Sequence, residues 1–267
     1  MLRRLTSAPG AFATGLVILV LAGLLVLFGH DSRDVTAARP TPEGGASPAT
    51  TTPTTATAPA PAASGDGSPH RLVLPAKRHL RILFVGDSLR GSVFASTKDK
   101  GFVPLLIDEL ERHGRTVTEL DATRVGRTRG KARGANDIHA VQGDADVAVL
   151  EIGTNDVNHV PIGDFARDYG RLMDLIRRTS PGVRFMCLGV WSIPSQSELS
   201  TQPYNGIIAQ ECRERDGVYF PLTDLWRNSA YHGPAGRPTW DGAGDAFHPN
   251  DRGYRAIATR VLEHVAR

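Results

Sequence analysis

From residue 71 onward, short runs of β-forming apolar residues alternate with longer stretches in which apolar residues recur every three or four positions. The short runs predict strands over 81–85 (RILFV), 116–120, 147–152 (VAVLEI), 183–190 (VRFMCLGV) and 218–222. The longer stretches predict helices over 103–113 (VPLLIDELERH), 165–178 (FARDYGRLMDLIRR), 204–215 and 249–265. Strands that are apolar almost throughout are covered on both faces, and crossover helices supply that cover only when the strands run parallel. The expectation is a three-layer α/β/α sandwich with a mainly parallel five-stranded sheet, one domain over 71–267. In open sheets of this kind ligands bind beyond the C-terminal ends of the strands, so chemistry is sought on the loops there.

The pattern before residue 71 is different. Residues 11–28 (AFATGLVILVLAGLLVLF) carry no charge, and about 18 residues as a helix reach roughly 27 Å, close to the hydrocarbon thickness of a bilayer. Arg3 and Arg4 on the short flank favour keeping that end in the cytoplasm, with all that follows outside. The segment 1–29 is therefore expected to be a signal-anchor helix or a signal peptide. Its apolar length favours retention, while Val35-Thr36-Ala37 offers small residues for cleavage. Residues 30–70 are Pro, Thr, Ala, Ser and Gly with almost no large side chain, and such a stretch cannot bury enough surface to offset its ordering entropy. A disordered linker is the expectation, its prolines making it stiffer than a Gly/Ser chain.

Charge and cysteines narrow the picture little. A formal net charge of +3 over 267 residues gives no reason to expect a nucleic-acid partner. Cys187 and Cys212 fall on a predicted strand and on the helix after it; in an oxidising compartment they could pair, and buried free thiols fit equally well. No HExxH or Cys/His spacing suggests a metal.

The candidate chemistry lies on the loops. Strand 81–85 runs directly into Gly86-Asp87-Ser88-Leu89, which exposes a serine one turn past a parallel strand. Arg90 stands where a Gly-x-Ser-x-Gly elbow needs its last glycine, so that motif is absent. A serine hydroxyl attacks only if a base takes its proton, and Asp245-Ala246-Phe247-His248-Pro249-Asn250 supplies an imidazole with a carboxylate three residues before it. Pro249 is expected at the first helical position with His248 as the cap. After strand 147–152 come Gly153-Thr154-Asn155-Asp156, where the Asn155 amide could donate to a developing oxyanion; a plain capping turn explains the same residues. After strand 116–120, Gly126 allows close backbone approach and a second donor beside the Ser88 N–H.

These blocks, GDSL with Ser88, a glycine at Gly126, GTND with Asn155, and DxxHPN with Asp245 and His248, resemble the SGNH (GDSL) hydrolase family over about residues 80–260. The resemblance implies a flavodoxin-like sandwich and hydrolysis of an ester through an acyl-serine intermediate, with no cofactor. Ser88 would be the nucleophile, His248 the base and Asp245 its orienting acid, with Ser88, Gly126 and Asn155 forming the oxyanion hole. Three classes stay open: an esterase acting outside the cell on an acyl or acetyl ester of a glycan or lipid, an acyl or acetyltransferase on a surface glycan, and a non-catalytic glycan-binding domain. A small-molecule, lipid or glycan ester is the expected partner, the membrane is met through the N-terminal helix, and a monomer is expected.

Neighbouring residues receive secondary readings. Arg90, with Arg127, Arg129, Lys131 and Arg133, is either part of a solvated loop or a device for attracting an anionic substrate. His159 is a candidate pocket residue. Asp87 and Asp156 read as turn residues bonding local backbone, and Trp191 and Trp240 as core or rim residues.

Overall fold

The computed structural model describes residues 71–121, 134–192 and 198–266. The apolar segment 11–28, the linker 30–70, and Gly126 with Arg127, Arg129, Lys131 and Arg133 lie outside the described residues. Among the described residues no helix is long and apolar enough to cross a membrane.

In chain order the elements are β1 (Leu72–Val73), β2 (His79–Gly86), α1 (Phe102–Arg112), β3 (Thr116–Asp121), β4 (Val147–Glu151), α2 (Ile162–Thr179), β5 (Arg184–Leu188), α3 (Glu198–Arg213), β6 (Val218–Phe220), α4 (Thr223–Trp226), β7 (Pro238–Thr239), β8 (Gly242–Ala243), α5 (Asp251–Glu263) and β9 (Val265–Ala266). The main sheet has five strands in the order β3-β2-β4-β5-β6, all parallel. This is the flavodoxin-like order, with its switch point between β2 and β4.

Side chains alternate across a strand, so each strand feeds two cores. Leu80, Ile82 and Phe84 of β2, Val147 and Val149 of β4, and Met186 and Leu188 of β5 pack with α1 and α5. Leu83 and Val85, Ala148 and Leu150, and Phe185 and Cys187 point the other way, toward α2 and α3. Helix α2 meets that face with Phe165, Tyr169, Leu172, Met173 and Ile176, an i, i+4, i+7, i+8, i+11 stripe. Strand β3 is an edge and is mostly polar, as one-sided cover allows. A Cys187–Cys212 disulfide, Cα atoms 6.2 Å apart, ties β5 to α3, which decides between the two cysteine readings.

Three helix starts differ from the sequence expectation, α2 opening at Ile162 rather than at 165. Helix α3 begins at Glu198, with Pro203 inside it rather than ahead of it. Helix α5 is capped not by His248 but by Asn250, whose side chain accepts from the N–H groups of Arg252 and Gly253. Asparagine offers a short acceptor to the free N–H groups of the first turn, and imidazole does not match that geometry. Pro249 thus lies outside the helix.

Candidate active site

Ser88 follows β2 at the switch point, in a tight turn closed by bonds from Gly91 N to Asp87 O and from Val93 N to Ser88 O, 3.1 and 3.0 Å. The turn starts at Gly86 because β4 crowds it: a Cβ there would lie 2.6 Å from Arg90 Cβ and 2.8 Å from the Glu151 carbonyl oxygen. Ser88 is 7% exposed, and its N–H donates to no acceptor among the described residues.

His248 arrives from the other end of the domain. Its Nε2 lies 3.0 Å from Ser88 Oγ, and its Nδ1 lies 2.7 Å from Asp245 Oδ2. An N–H at Nδ1 that donates to the carboxylate leaves the Nε2 lone pair facing the hydroxyl. Asp245 Oδ1 also accepts from the N–H groups of Phe247 and His248, at 2.9 and 2.7 Å, so one carboxylate fixes both the loop and the ring. Burial works to raise the Asp245 pKa, but the His248 N–H, the ring and the Phe247 N–H outweigh it and hold the carboxyl below its ordinary value. The loop is further held by Trp191, fully buried, whose Nε1 donates to the Phe247 carbonyl at 3.0 Å. The rings of Phe94 and Phe247 stand edge-on to the imidazole, centroids 5.0 and 4.6 Å away.

Phe94 sits there through unusual backbone. Ser92 and Phe94 have φ of 57° and 61°, in the left-handed region that side chains disfavour. Three successive carbonyls of this segment are captured from afar. Trp240 Nε1 donates to Ser92 O at 2.7 Å, Tyr254 Oη to Val93 O at 2.7 Å, and an Arg237 guanidinium N–H to Phe94 O. Strained backbone persists where its surroundings over-determine it, as they do here.

The Asn155 amide, at the end of β4, donates to Asp87 Oδ2 at 2.6 Å. Asp87 Oδ1 takes the Leu89 N–H at 3.3 Å and lies the same distance from Ser88 Oγ. Asp87 is thus a turn residue, as expected, and also the group that orients Asn155. Asp156 departs from its expected local role. Its carboxylate accepts the N–H of Ala135 across the fold, packed so closely on Gly134 that a Cβ there would lie 2.2 Å from Oδ1. Burial, then the Asp87 and Asp137 charges, push Asp156 up to about 7 against that bond. Glu151, absent from the sequence reading, is 1% exposed at the end of β4 and accepts the Arg90 N–H at 3.2 Å. Burial first, and Asp87 second, raise its pKa well above the usual carboxylate range. A glutamate inside the run VAVLEI was the available signal.

The Arg90 guanidinium is taken up by Glu119 Oε1 and Asp121 Oδ1 at 2.8 and 3.0 Å, on the end of β3. His159 is exposed on the turn beyond Asn155. Among the described residues no cluster of side chains suits a metal ion.

The profile of the GDSL-like Lipase/Acylhydrolase family matches residues 84–256, from the end of β2 into α5. The chain belongs to this family. Membership makes it a serine esterase, an enzyme acting on ester bonds. The psychrotrophic esterase EstA from Pseudoalteromonas sp. has a similar fold, with a TM-score of 0.50 and 15% identity over 69% of this chain and 95% of that one. A family 3 carbohydrate esterase from Clostridium thermocellum is similar to the same degree, with a TM-score of 0.50 and 18% identity over 70% and 94%. No curated protein matches the sequence.

Proposed function

We propose that this family member cleaves a carboxylic ester of a glycan or lipid outside the cytoplasm, through an acyl intermediate on Ser88. The observation that carries the reading is the unbroken hydrogen-bond chain from Asp245 through His248 to Ser88, 2.7 and 3.0 Å, at the switch point of the sheet. Ser88 Oγ attacks the acyl carbon while His248 Nε2 takes its proton, and Asp245 stabilises the imidazolium. The carbonyl oxygen becomes an oxyanion held by the Ser88 N–H and the second Asn155 amide proton, the first being engaged by Asp87. Collapse of the tetrahedral intermediate breaks the bond to the alcohol, which leaves with the proton from His248. Water, deprotonated by the same imidazole, then frees the acid and restores Ser88.

A location outside the cytoplasm is supported by the disulfide and by the uncharged run 11–28 behind Arg3 and Arg4. The test of the chemistry is hydrolysis of p-nitrophenyl acetate by the full-length chain and by Ser88→Ala. We expect the variant to lose about 10⁴-fold or more in kcat. Activity equal to the parent would exclude Ser88 as nucleophile.

A further inference from the structure

A second concave site lies at the opposite end of the sheet, where β5 and β6 begin. The strands there are five and three residues long, which separates the site from the triad by roughly 15 Å. The cavity, about 680 Å³, is bounded by the last turns of α2 and α3 and by Arg71 at the start of the described chain. It is lined by Arg71, Arg177, Arg184, Arg213 and Arg215, against the single acidic residue Asp216. Arg215 is neutralised by Asp174 and Glu211 at 2.7 and 2.6 Å. The other four have no carboxylate partner among the described residues.

An ordinary solvated face intersperses charges of both signs and leaves long side chains free. Here one of the four is already ordered. Arg177 lies 5.2 Å over the Phe185 ring and donates to the Arg215 carbonyl at 2.9 Å. Its Nε, and Nη1 of Arg184, are buried without an acceptor among the described residues. Like charges gathered in one hollow repel, and a bound anion relieves that repulsion. We propose that this cavity is an anion site for a phosphate-bearing ligand, separate from the ester-cleaving site. Guanidinium forks match the paired oxygens of phosphate, and a hollow of this size suits a small organic phosphate or a lipid headgroup.

The test is calorimetric titration of the full-length chain, in nonionic detergent at low salt, with inorganic pyrophosphate, dihexanoyl phosphatidic acid and citrate. Saturable binding of the phosphate probes is expected. The double variant Arg184→Ala/Arg213→Ala should weaken it at least tenfold with p-nitrophenyl acetate hydrolysis unchanged, a control for folding and for the separate catalytic site. Arg184→Lys/Arg213→Lys keeps the charge and should weaken it less. Tighter binding of the phosphatidic acid than of pyrophosphate assigns the site to lipid headgroups, and equal binding assigns it to the phosphate group alone. No saturable binding, undiminished binding by the alanine variant, or citrate binding as tightly as pyrophosphate would overturn the proposal.

Discussion

An asparagine amide turns freely about its last bond unless a partner fixes it, and at Asn155 that partner is the Asp87 carboxylate 2.6 Å away. If the remaining amide proton serves the oxyanion, Asn155→Ala should lower kcat by about 10²- to 10³-fold with little change in KM. Asp87→Ala should lower kcat in the same direction, and the double variant should be no slower than Asn155→Ala, because Asp87 would act through Asn155. Additive losses would give Asp87 an independent role. Asp156 makes a different prediction. Its folded-state pKa of about 7 stands above the ordinary 3.8, so between about pH 4 and pH 7 the folded chain holds a proton that the unfolded chain has released. Stability contributed by this group therefore falls as pH rises across that window, the reverse of a carboxylate paired with a cation. The carboxylates of Asp87, Asp137 and Asp168 facing it all act in that direction. Asp156→Asn should gain on the parent in urea midpoint between pH 4.5 and 7.5; a constant difference would show that Asp156 does not titrate there.

The elements were legible where a signal repeats along the chain and obscure where it depends on distant partners. Strands β2, β4 and β5 were readable because both faces are covered and nearly every residue is apolar, and α2 because its buried stripe is regular. Ser88, Asp245 and His248 were readable because each sits in a short local motif. Nothing local reveals that Arg90 meets Glu119 and Asp121 on β3, or that Phe94 is held in left-handed backbone by Arg237. The α5 cap was misplaced for a related reason. Asn250 not only caps the helix but donates through Nδ2 to the carbonyls of Ala230, His232 and Gly233, at 3.0, 3.3 and 3.1 Å, contacts that only the fold creates. The link between β5 and α3 can be tested directly. Cys187 and Cys212 are separated by 25 positions, and closing a loop of that length removes unfolded-state entropy worth ~3.5 kcal/mol in the chain-entropy picture. Cys187→Ala/Cys212→Ala should lose stability of that order in urea. A loss equal to that of the parent under reducing conditions would assign it to the bond itself.

At the scale of the whole molecule, sheet order explains why residues far apart in sequence meet. β2 and β4 are neighbours although β3 lies between them in the chain, so the loops carrying Ser88 and Asn155 flank one crevice, and the loop just before α5 brings His248 to Ser88. The side chains of this machinery come from residues 87–248. Arg3 and Arg4 precede an uncharged run of about 18 residues, longer than the apolar stretch usual in a cleaved signal peptide. Retention of that run would put the esterase on a tether outside the membrane. The full-length chain, expressed in a bacterial host, should then sediment with membranes, resist carbonate extraction and be digested by protease added to spheroplasts. Deleting residues 1–29 should leave it in the cytoplasm, where Cys187 and Cys212 meet reducing conditions. A mature chain beginning just after Ala37 would replace the anchor with secretion and keep the same side of the membrane; a soluble, protease-protected chain would remove both.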